Sequence, residues 1–457
     1  MTTIGLIGAG VMGRALAQNL ADRGVEVVVY DRDAAARSQL SIDPRLGVAE
    51  DVKQLISRLS TPRAVLLMVN AGKPVEAVIA DLCPHLAPGD ILIDGGNSEW
   101  KDTQRRTVDL AKNGLDFVGL GVSGGEEGAR RGPALMAGGT EAAYGRIRPW
   151  LESIAARADG RACADWFGPD AGGHFVKMAH NAIEYGVMQA SAEAVQVLLG
   201  LGLAYPAMRP DALAWAKDDR ASYLLELTAD ILGRNDRETG KPLVEVISDR
   251  AGQKGTGGWA VEAALSLGVA IPSLAEAVFA RTISGASERK EAVARLGSPL
   301  KKSDAAIRTD LGDALFATTL VCYAQGFQLI RAGAAAHGWV SDLARAARVW
   351  EAGCILRGRF LKGMAAAYAD EPDLPNLLLS PRFAKVLAAA EPSWRRTVAF
   401  AATNGIVAPV LSSSLSYLDS LRTARAPTAM IQAMRDGFGL HGFERVDRPG
   451  THHADWS

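Results

Sequence analysis

Cysteine is scarce in this chain and scattered. Cys83, Cys163, Cys322 and Cys354 are the four in 457 residues, and no two form a C-x-x-C pair. That spacing argues against a disulfide scaffold and a zinc ribbon, and it fits reduced thiols in a cytoplasmic protein. Excess charge of one sign is missing as well. Lys and Arg number 50 against 51 Asp and Glu, a formal net charge of -1, which argues against a nucleic-acid coat or a polybasic membrane patch. No apolar run approaches the ~18 residues a membrane helix needs. The stretch Ile4–Ile7 has no basic segment ahead of it, so a secretory signal is not expected. What the chain does have is 48% hydrophobic and 22% charged residues, a globular composition that excludes disorder. At roughly 150 residues per domain, the length predicts two or three domains.

Short β-rich runs alternate with helical patterns from Met1 to Gly173. Ile4–Ile7, Val25–Tyr30, Ala64–Val69 and Ile91–Asp94 read as strands, and continuous apolar runs of this length suit a parallel sheet covered on both faces. Gly172-Gly173 is expected to break that pattern. From His174 to Pro427, Ala, Leu and Met recur at helical spacing, with buried helices expected over Ala182–Leu199, Leu213–Leu232, Leu274–Ile283 and Ala314–Ala332. From Thr428 the chain becomes short, Gly-broken and rich in Arg and His. The expected architecture is an α/β Rossmann-like dinucleotide-binding domain (1–173), a large all-α domain (174–427) and a short C-terminal tail (428–457).

Gly8-Ala9-Gly10-Val11-Met12-Gly13 is a complete G-x-G-x-x-G between the first strand and a helical run, Ala15–Leu20. Its glycines permit a tight turn and close approach of the backbone to a pyrophosphate, and the following helix presents free N–H groups to it. Asp31 closes the next strand, where an acid accepts both ribose hydroxyls of NAD and repels the 2′-phosphate of NADP. Arg32 works the other way, because a guanidinium can clamp that phosphate or stack on adenine. The residues leave the choice open, with a lean to NAD.

Lys177, His180, Asn181 and Glu184 fall at i, i+3, i+4 and i+7 and so share one helix face. Their neighbours Met178, Ala179, Ala182 and Ile183 are apolar. A solvated stripe would be flanked by more Lys and Glu; a polar stripe bounded by hydrophobic faces is where pKa values are perturbed and chemistry is done. Two glycine-rich loops, Val122–Gly128 and Lys254–Trp259, offer hydroxyls and backbone amides to a phosphate or carboxylate, and the second adds an ammonium. No metal centre is expected. Arg281, Arg435 and His441 carry no signal of their own.

The nucleotide motif, Asp94-Gly95-Gly96-Asn97-Ser98, Gly121–Gly128, the Lys177–Glu184 stripe, Lys254-Gly255-Thr256-Gly257 and the pair Arg435 and His441 occur in one order along nearly the whole chain. Together they resemble the decarboxylating 6-phosphogluconate dehydrogenases of the β-hydroxyacid dehydrogenase superfamily. The resemblance implies oxidative decarboxylation of 6-phospho-D-gluconate to D-ribulose 5-phosphate and CO2 in the pentose phosphate pathway, with NAD(P)+ reduced and no metal required. It implies Lys177 as the base at the C3 hydroxyl and Glu184 as the acid that protonates the enediol, with His180 and Asn181 beside them. Asn97, Ser123, Gly124, Gly125 and Tyr185 match substrate positions of that family, as do Lys254, Thr256, Arg281, Arg435 and His441. On the cofactor side stand Gly8 to Gly13 (with Ala9, Gly10, Val11 and Met12), Asp31, Arg32 and Asp33, then Val69, Asn70, Ala71 and again Asn97.

The resemblance further implies a homodimer in which each tail reaches the other subunit's site. Two departures bear on the cofactor. Asp31-Arg32-Asp33 stands where NADP users of that family carry Asn-Arg-Thr, and Val69-Asn70-Ala71-Gly72 where they carry Val-Lys-Ala-Gly. Both changes disfavour a 2′-phosphate, so NAD is expected to serve at least as well as NADP. A shorter β-hydroxyacid dehydrogenase is the nearest alternative, and it leaves the Lys254 loop and the tail without work. A catalytically inactive nucleotide-sensing homologue is another, opposed by the intact Lys177, Asn181 and Glu184.

Overall fold

The structure is a computed structural model and describes residues 3–300 and 307–456. Six strands, β1 (Thr3–Ile7), β2 (Glu26–Tyr30), β3 (Leu46–Val48), β4 (Ala64–Leu67), β5 (Ile91–Asp94) and β6 (Asp116–Ser123), pair in parallel in the order β3-β2-β1-β4-β5-β6. β7 (Ala134–Ala137) runs antiparallel to β6, and Ala164–Trp166 pairs parallel with β7 at the edge. β1, β4 and β5 are buried along their whole length, which is why they read as unbroken apolar runs. The chain leaves β1 toward β2 on one side and returns to β4 on the other, so the carboxyl ends of β1 and β4 flank the crevice at the switch point.

The helix Gly172–Gly200 carries the chain out of the sheet. Its first turns lie on β6 and β7, and the rest packs along the 27-residue helix Leu311–His337. Gly172 and Gly173, expected to end the strand–helix alternation, do so and form the first turn of this helix. A methyl on Gly173 would lie 2.5 Å from both Gly119 O and Gly138 N and would collide with Met136 O. Glycine is there for contact distance, not for flexibility. Gly173→Ala is therefore expected to destabilise the fold by about 1–3 kcal/mol through overpacking, and an unchanged thermal midpoint would show that the helix is not held by that approach.

One expectation is corrected. The single helix expected over Leu213–Leu232 is two, Tyr205–Trp215 and Tyr223–Leu232, separated by the short turn Asp218–Arg220. The polar run Lys217-Asp218-Asp219 interrupts the apolar face, and Asp218 adopts φ 54 to redirect the chain. The tail is also more ordered than its glycines suggest. The helix Thr428–Gly439 precedes a hairpin of Phe443–Glu444 and Thr451–His452. Fully buried Asp436 gathers the unit, accepting hydrogen bonds from Gly442 N (2.9 Å), Ala454 N (3.0 Å) and Trp456 Nε1 (2.8 Å), with His453 Nδ1 at 2.6 Å.

Among the described residues no helix is long and apolar enough to cross a membrane, and no group of three or more His, Cys, Asp or Glu is arranged to hold a metal ion. All four cysteines are unpaired thiols.

Candidate active site

At the crevice, the three motif glycines divide their work. Gly8 has φ 99, and a methyl there would lie 2.5 Å from Met68 O; one on Gly13 would run into Gly8 O. Those two are required by the protein's own packing. Gly10 has nothing within 4 Å of its missing Cβ, and the helix Val11–Asp22 starts beside it with no side-chain cap. Free N–H groups thus face an open approach, the arrangement a pyrophosphate needs.

Asp31 is tied into this loop. Its carboxylate accepts Ala9 N at 2.6 Å and Asp33 N at 2.9 Å, and with about four lone-pair sites it retains capacity for ribose hydroxyls. Asp33 caps the helix Ala34–Leu40 through Ala35 N, so it has a structural task besides any cofactor contact. Arg32 is exposed. Arg37, which the sequence reading passed over, donates to Asp31 O (2.8 Å) and Arg32 O (3.3 Å) and lies 3.5 Å from Glu50. Val69 and Ala71 are half-buried and Asn70 exposed just beyond β4, on the same edge of the crevice.

The loop after β5 is fastened from within. Buried Asp94 accepts Gly96 N (3.0 Å), Ser98 Oγ (2.6 Å) and Arg106 Nη1 (3.3 Å), and Arg106 also reaches Glu76 Oε1 (3.0 Å) and Gly72 O (3.4 Å). Arg106 is 2% exposed. One buried guanidinium thereby joins the loops after β4 and β5, and Asn97 is left exposed between them. In the sequence Arg106 is one more charged residue on a surface helix, Trp100–Ala111; nothing in the spacing marks it as interior.

The Lys177 stripe forms as its spacing requires. Lys177 Nζ donates to Asn181 Oδ1 at 2.7 Å. His180 Nδ1 lies 3.3 Å from the same oxygen and 3.8 Å from Glu184 Oε2, while its Nε2 faces Ser123 Oγ at 3.3 Å. Gly121 makes room for the stripe, since a methyl there would lie 2.5 Å from Lys177 Cβ. Burial pushes the Lys177 ammonium below its usual range, with Glu184 opposing. Burial pushes the Glu184 carboxyl up, with Lys177 and Arg281 opposing. Burial, reinforced by the Lys177 charge, holds His180 well below its usual value and therefore neutral. Burial thus shifts an amine and a carboxyl on one face toward the neutral forms that a base and an acid need before they act.

Tyr185 and Arg281 close one side. The Arg281 guanidinium carbon stacks 3.6 Å above the Tyr185 ring, a cation–π contact, and Arg281 Nη1 donates to Gly252 O at 2.9 Å. The Lys254 loop meets them there. Gly257 packs on the Tyr185 ring, buried Thr256 opens the uncapped helix Thr256–Leu267, and Lys254 is exposed. On the other side, Ser123 ends β6 and Gly124 packs against Gly353, with exposed Gly125 starting the helix Gly125–Arg131. The segment Trp350–Leu356 was not flagged by the sequence. It backs the stripe: Trp350 meets the His180 ring edge-on at 5.5 Å, Gly353 O accepts Ala134 N (3.1 Å), and Leu356 O accepts Tyr323 OH (2.6 Å).

Arg435 and His441 are not brought to this cluster within one subunit. Both are exposed, Arg435 bonding Gln432 Oε1 at 3.1 Å and His441 lying against Phe438. Among the described residues no hydrogen bond, ion pair or ring contact joins either of them to the Lys177 stripe.

Comparison with known proteins agrees with this architecture. The model of the NAD binding domain of 6-phosphogluconate dehydrogenase matches residues 3–168, and that of the 6-phosphogluconate dehydrogenase C-terminal domain matches residues 173–456. The Bacillus subtilis 6-phosphogluconate dehydrogenase named NADP(+)-dependent, decarboxylating is 42% identical over 462 residues, 99% of this chain and 98% of that one. The decarboxylating enzyme of Synechococcus elongatus is 44% identical over 464 residues, with the same coverage of both chains. Plasmodium falciparum 6-phosphogluconate dehydrogenase, solved in its apo form, with NADP+ and with 6-phosphogluconate, matches with a TM-score of 0.95 at 34% identity over 99% of this chain and 100% of that one. A Rossmann-like sheet that leads into a helical domain bearing buried Lys177 and Asn181 with half-buried Glu184 defines a dehydrogenase that binds a nicotinamide dinucleotide. This chain belongs to the 6-phosphogluconate dehydrogenase family.

Proposed function

We propose that Lys177 and Glu184 divide the proton transfers of the family's reaction, the oxidative decarboxylation of 6-phospho-D-gluconate to D-ribulose 5-phosphate and CO2 in the pentose phosphate pathway. The observation that carries this is one buried helix face on which burial lowers an amine and raises a carboxyl. Neutral Lys177 takes the C3 hydroxyl proton. The bound dinucleotide supplies a hydride acceptor for C3. Lys177, now an ammonium, returns its proton to the new ketone oxygen while the C1–C2 bond breaks; CO2 leaves and the bond electrons become the enediol. Glu184 then protonates the enediol carbon that becomes C1 of the product, and Lys177 recovers the proton from the oxygen.

Because Lys177 places positive charge on the ketone oxygen, no Lewis acid is needed. Turnover is expected to be unchanged by a chelator, and a loss restored by a divalent ion would overturn that. Asn97, Ser123, Gly124, Gly125, His180 and Asn181 hold the carboxylate and hydroxyl end of the substrate. Lys254, Thr256, Tyr185 and Arg281 take the phosphate end, completed by Arg435 and His441 from a second subunit. What supports that last assignment is an ordered tail with both residues exposed and no contact to its own stripe. The enzyme is read as a homodimer with shared sites, in the cytoplasm, where four unpaired thiols stay reduced.

Gly8 to Gly13, Asp31, Arg32 and the Val69–Ala71 turn would hold the dinucleotide. The relatives named for NADP favour the 2′-phosphate. In this chain, the Asp31 carboxylate at the end of β2 and Asn70 in the next turn favour NAD, which is expected to serve at least as well. Steady-state oxidation of 6-phosphogluconate, with CO2 trapped and both cofactors run in parallel, tests the reaction and the preference together. A kcat/KM far higher with NADP would reverse the preference; absence of CO2 would sink the reaction. Asp31→Asn should move the NADP-to-NAD ratio of kcat/KM upward by about tenfold, ~1.4 kcal/mol, and an unmoved ratio would defeat the repulsion.

A further inference from the structure

We infer that Asp436 is a positioning residue, whose carboxylate holds Arg435 and His441 at a fixed separation so that both can meet one phosphate; this rests on their assignment to the phosphate end of the substrate above. Arg435 immediately precedes Asp436 in the helix Thr428–Gly439. His441 immediately precedes Gly442, and Asp436 Oδ1 accepts the Gly442 N–H at 2.9 Å. The chain between them is bent back on the same residue, since Asp436 O accepts Leu440 N at 2.8 Å. Leu440 takes φ 48, a left-handed conformation that a residue with a Cβ keeps only where its surroundings hold it. The His441 ring lies against the last turn of the helix, where a methyl on Gly439 would be 2.8 Å from Nε2. On its other side, Asp436 Oδ2 accepts Ala454 N at 3.0 Å and Trp456 Nε1 at 2.8 Å, which ties the segment after the hairpin to the same carboxylate.

The Gly442, Ala454 and Trp456 groups are N–H groups that can only donate, and between them they occupy both oxygens. A carboxylate satisfies all three. An amide cannot, because whichever way it is turned its NH2 meets at least one of them. Asp436 is fully buried, so a donor left unmatched there finds no water to replace it. Asp436 is therefore engaged inside the tail, whereas the two groups beside it are not. Arg435 has Gln432 Oε1 at 3.1 Å and His441 a ring contact with Phe438, and neither is paired with a carboxylate among the described residues. Arg445, further along, is held by Asp447 at 2.7 Å. A guanidinium with most of its donors open, next to an imidazole on a pinned turn, matches the oxygens of a phosphate. Holding the two in place beforehand removes the cost of ordering them when the phosphate binds.

Three measurements test this. In the unmodified enzyme without substrate, hydrogen exchange should find the amides of Leu440, Gly442 and Ala454 protected. Protection that appears only once 6-phosphogluconate is added would overturn the inference, whether or not any variant folds. In turnover, Asp436→Asn is expected to raise the KM for 6-phosphogluconate by about tenfold, with kcat and the KM for the dinucleotide within about threefold of the unmodified enzyme. A fall in kcat at constant KM would overturn it. The third measurement repeats the Asn exchange in a chain that already carries Arg435→Ala and His441→Ala. There it should change KM by less than about twofold, because it acts through those two groups; a second tenfold rise would mean that Asp436 supports the tail in general and does not position them. The outcomes separate the two readings. If Arg435→Ala with His441→Ala left KM unchanged, the phosphate assignment would fall and take this inference with it. If that pair raised KM and Asp436→Asn did not, this inference alone would fall.

Discussion

Lys177→Met is expected to lower kcat for 6-phosphogluconate by on the order of 10²–10⁴-fold while the enzyme stays folded. Methionine has nearly the reach of lysine and no charge, and Lys177 is buried beside Gly121 and Asn181, so the exchange removes a desolvated amine without opening a cavity. What disappears is the group that takes the C3 proton, charges the ketone oxygen during CO2 loss and receives the proton back. No neighbour can replace it: His180 is held neutral well below its usual value, and Asn181 has no proton to exchange. The thermal midpoint and dinucleotide affinity should hold while turnover falls. A Met variant with full turnover would remove Lys177 from the mechanism.

Glu184→Gln is expected to cost about 100-fold or more in steady-state turnover, with a distinctive order of events. Oxidation and CO2 loss need Lys177 and not Glu184, so the first turnover should show a rapid burst of reduced dinucleotide followed by slow product formation. The pH profile should change too. Lys177 must lose its proton before it can act as a base, so the acid limb of kcat/KM follows its deprotonation. Burial lowers that pKa, and Glu184 is a neutral carboxyl at the pH of the acid limb, so Gln in its place should leave that limb where it is. The alkaline limb, set by ionisation of a carboxyl that burial has raised, should disappear. An alkaline limb that persists unchanged in the Gln variant would mean that Glu184 is not the acid.

The sequence displayed the parts of this site that depend on local spacing. Gly8 to Gly13 had to be a tight turn before a helix, and Lys177, His180, Asn181 and Glu184 had to share a face, because 3.6 residues per turn places them there whatever surrounds them. Gly172-Gly173 marked the end of the strand–helix alternation but not its reason: they open the long helix where β6 and β7 approach too closely for any side chain. One element was misread because it was decided at a distance. Leu213–Leu232 looked continuous because its apolar residues persist across a turn.

By itself, the sequence determined the order of the domains, the dinucleotide turn and the composition of the proton-transfer stripe, all set by covalent neighbours and backbone periodicity. Tertiary structure alone decided that Arg106 is interior, that Trp350 backs His180, that His174 pairs with Thr103, and that Arg435 and His441 lie apart from the stripe of their own chain. It also decided the chemistry of the stripe. A lysine and a glutamate seven residues apart are an ordinary pair in water, and only enclosure by β6, the Arg281 helix and the Trp350 segment removes enough solvent to lower one pKa and raise the other.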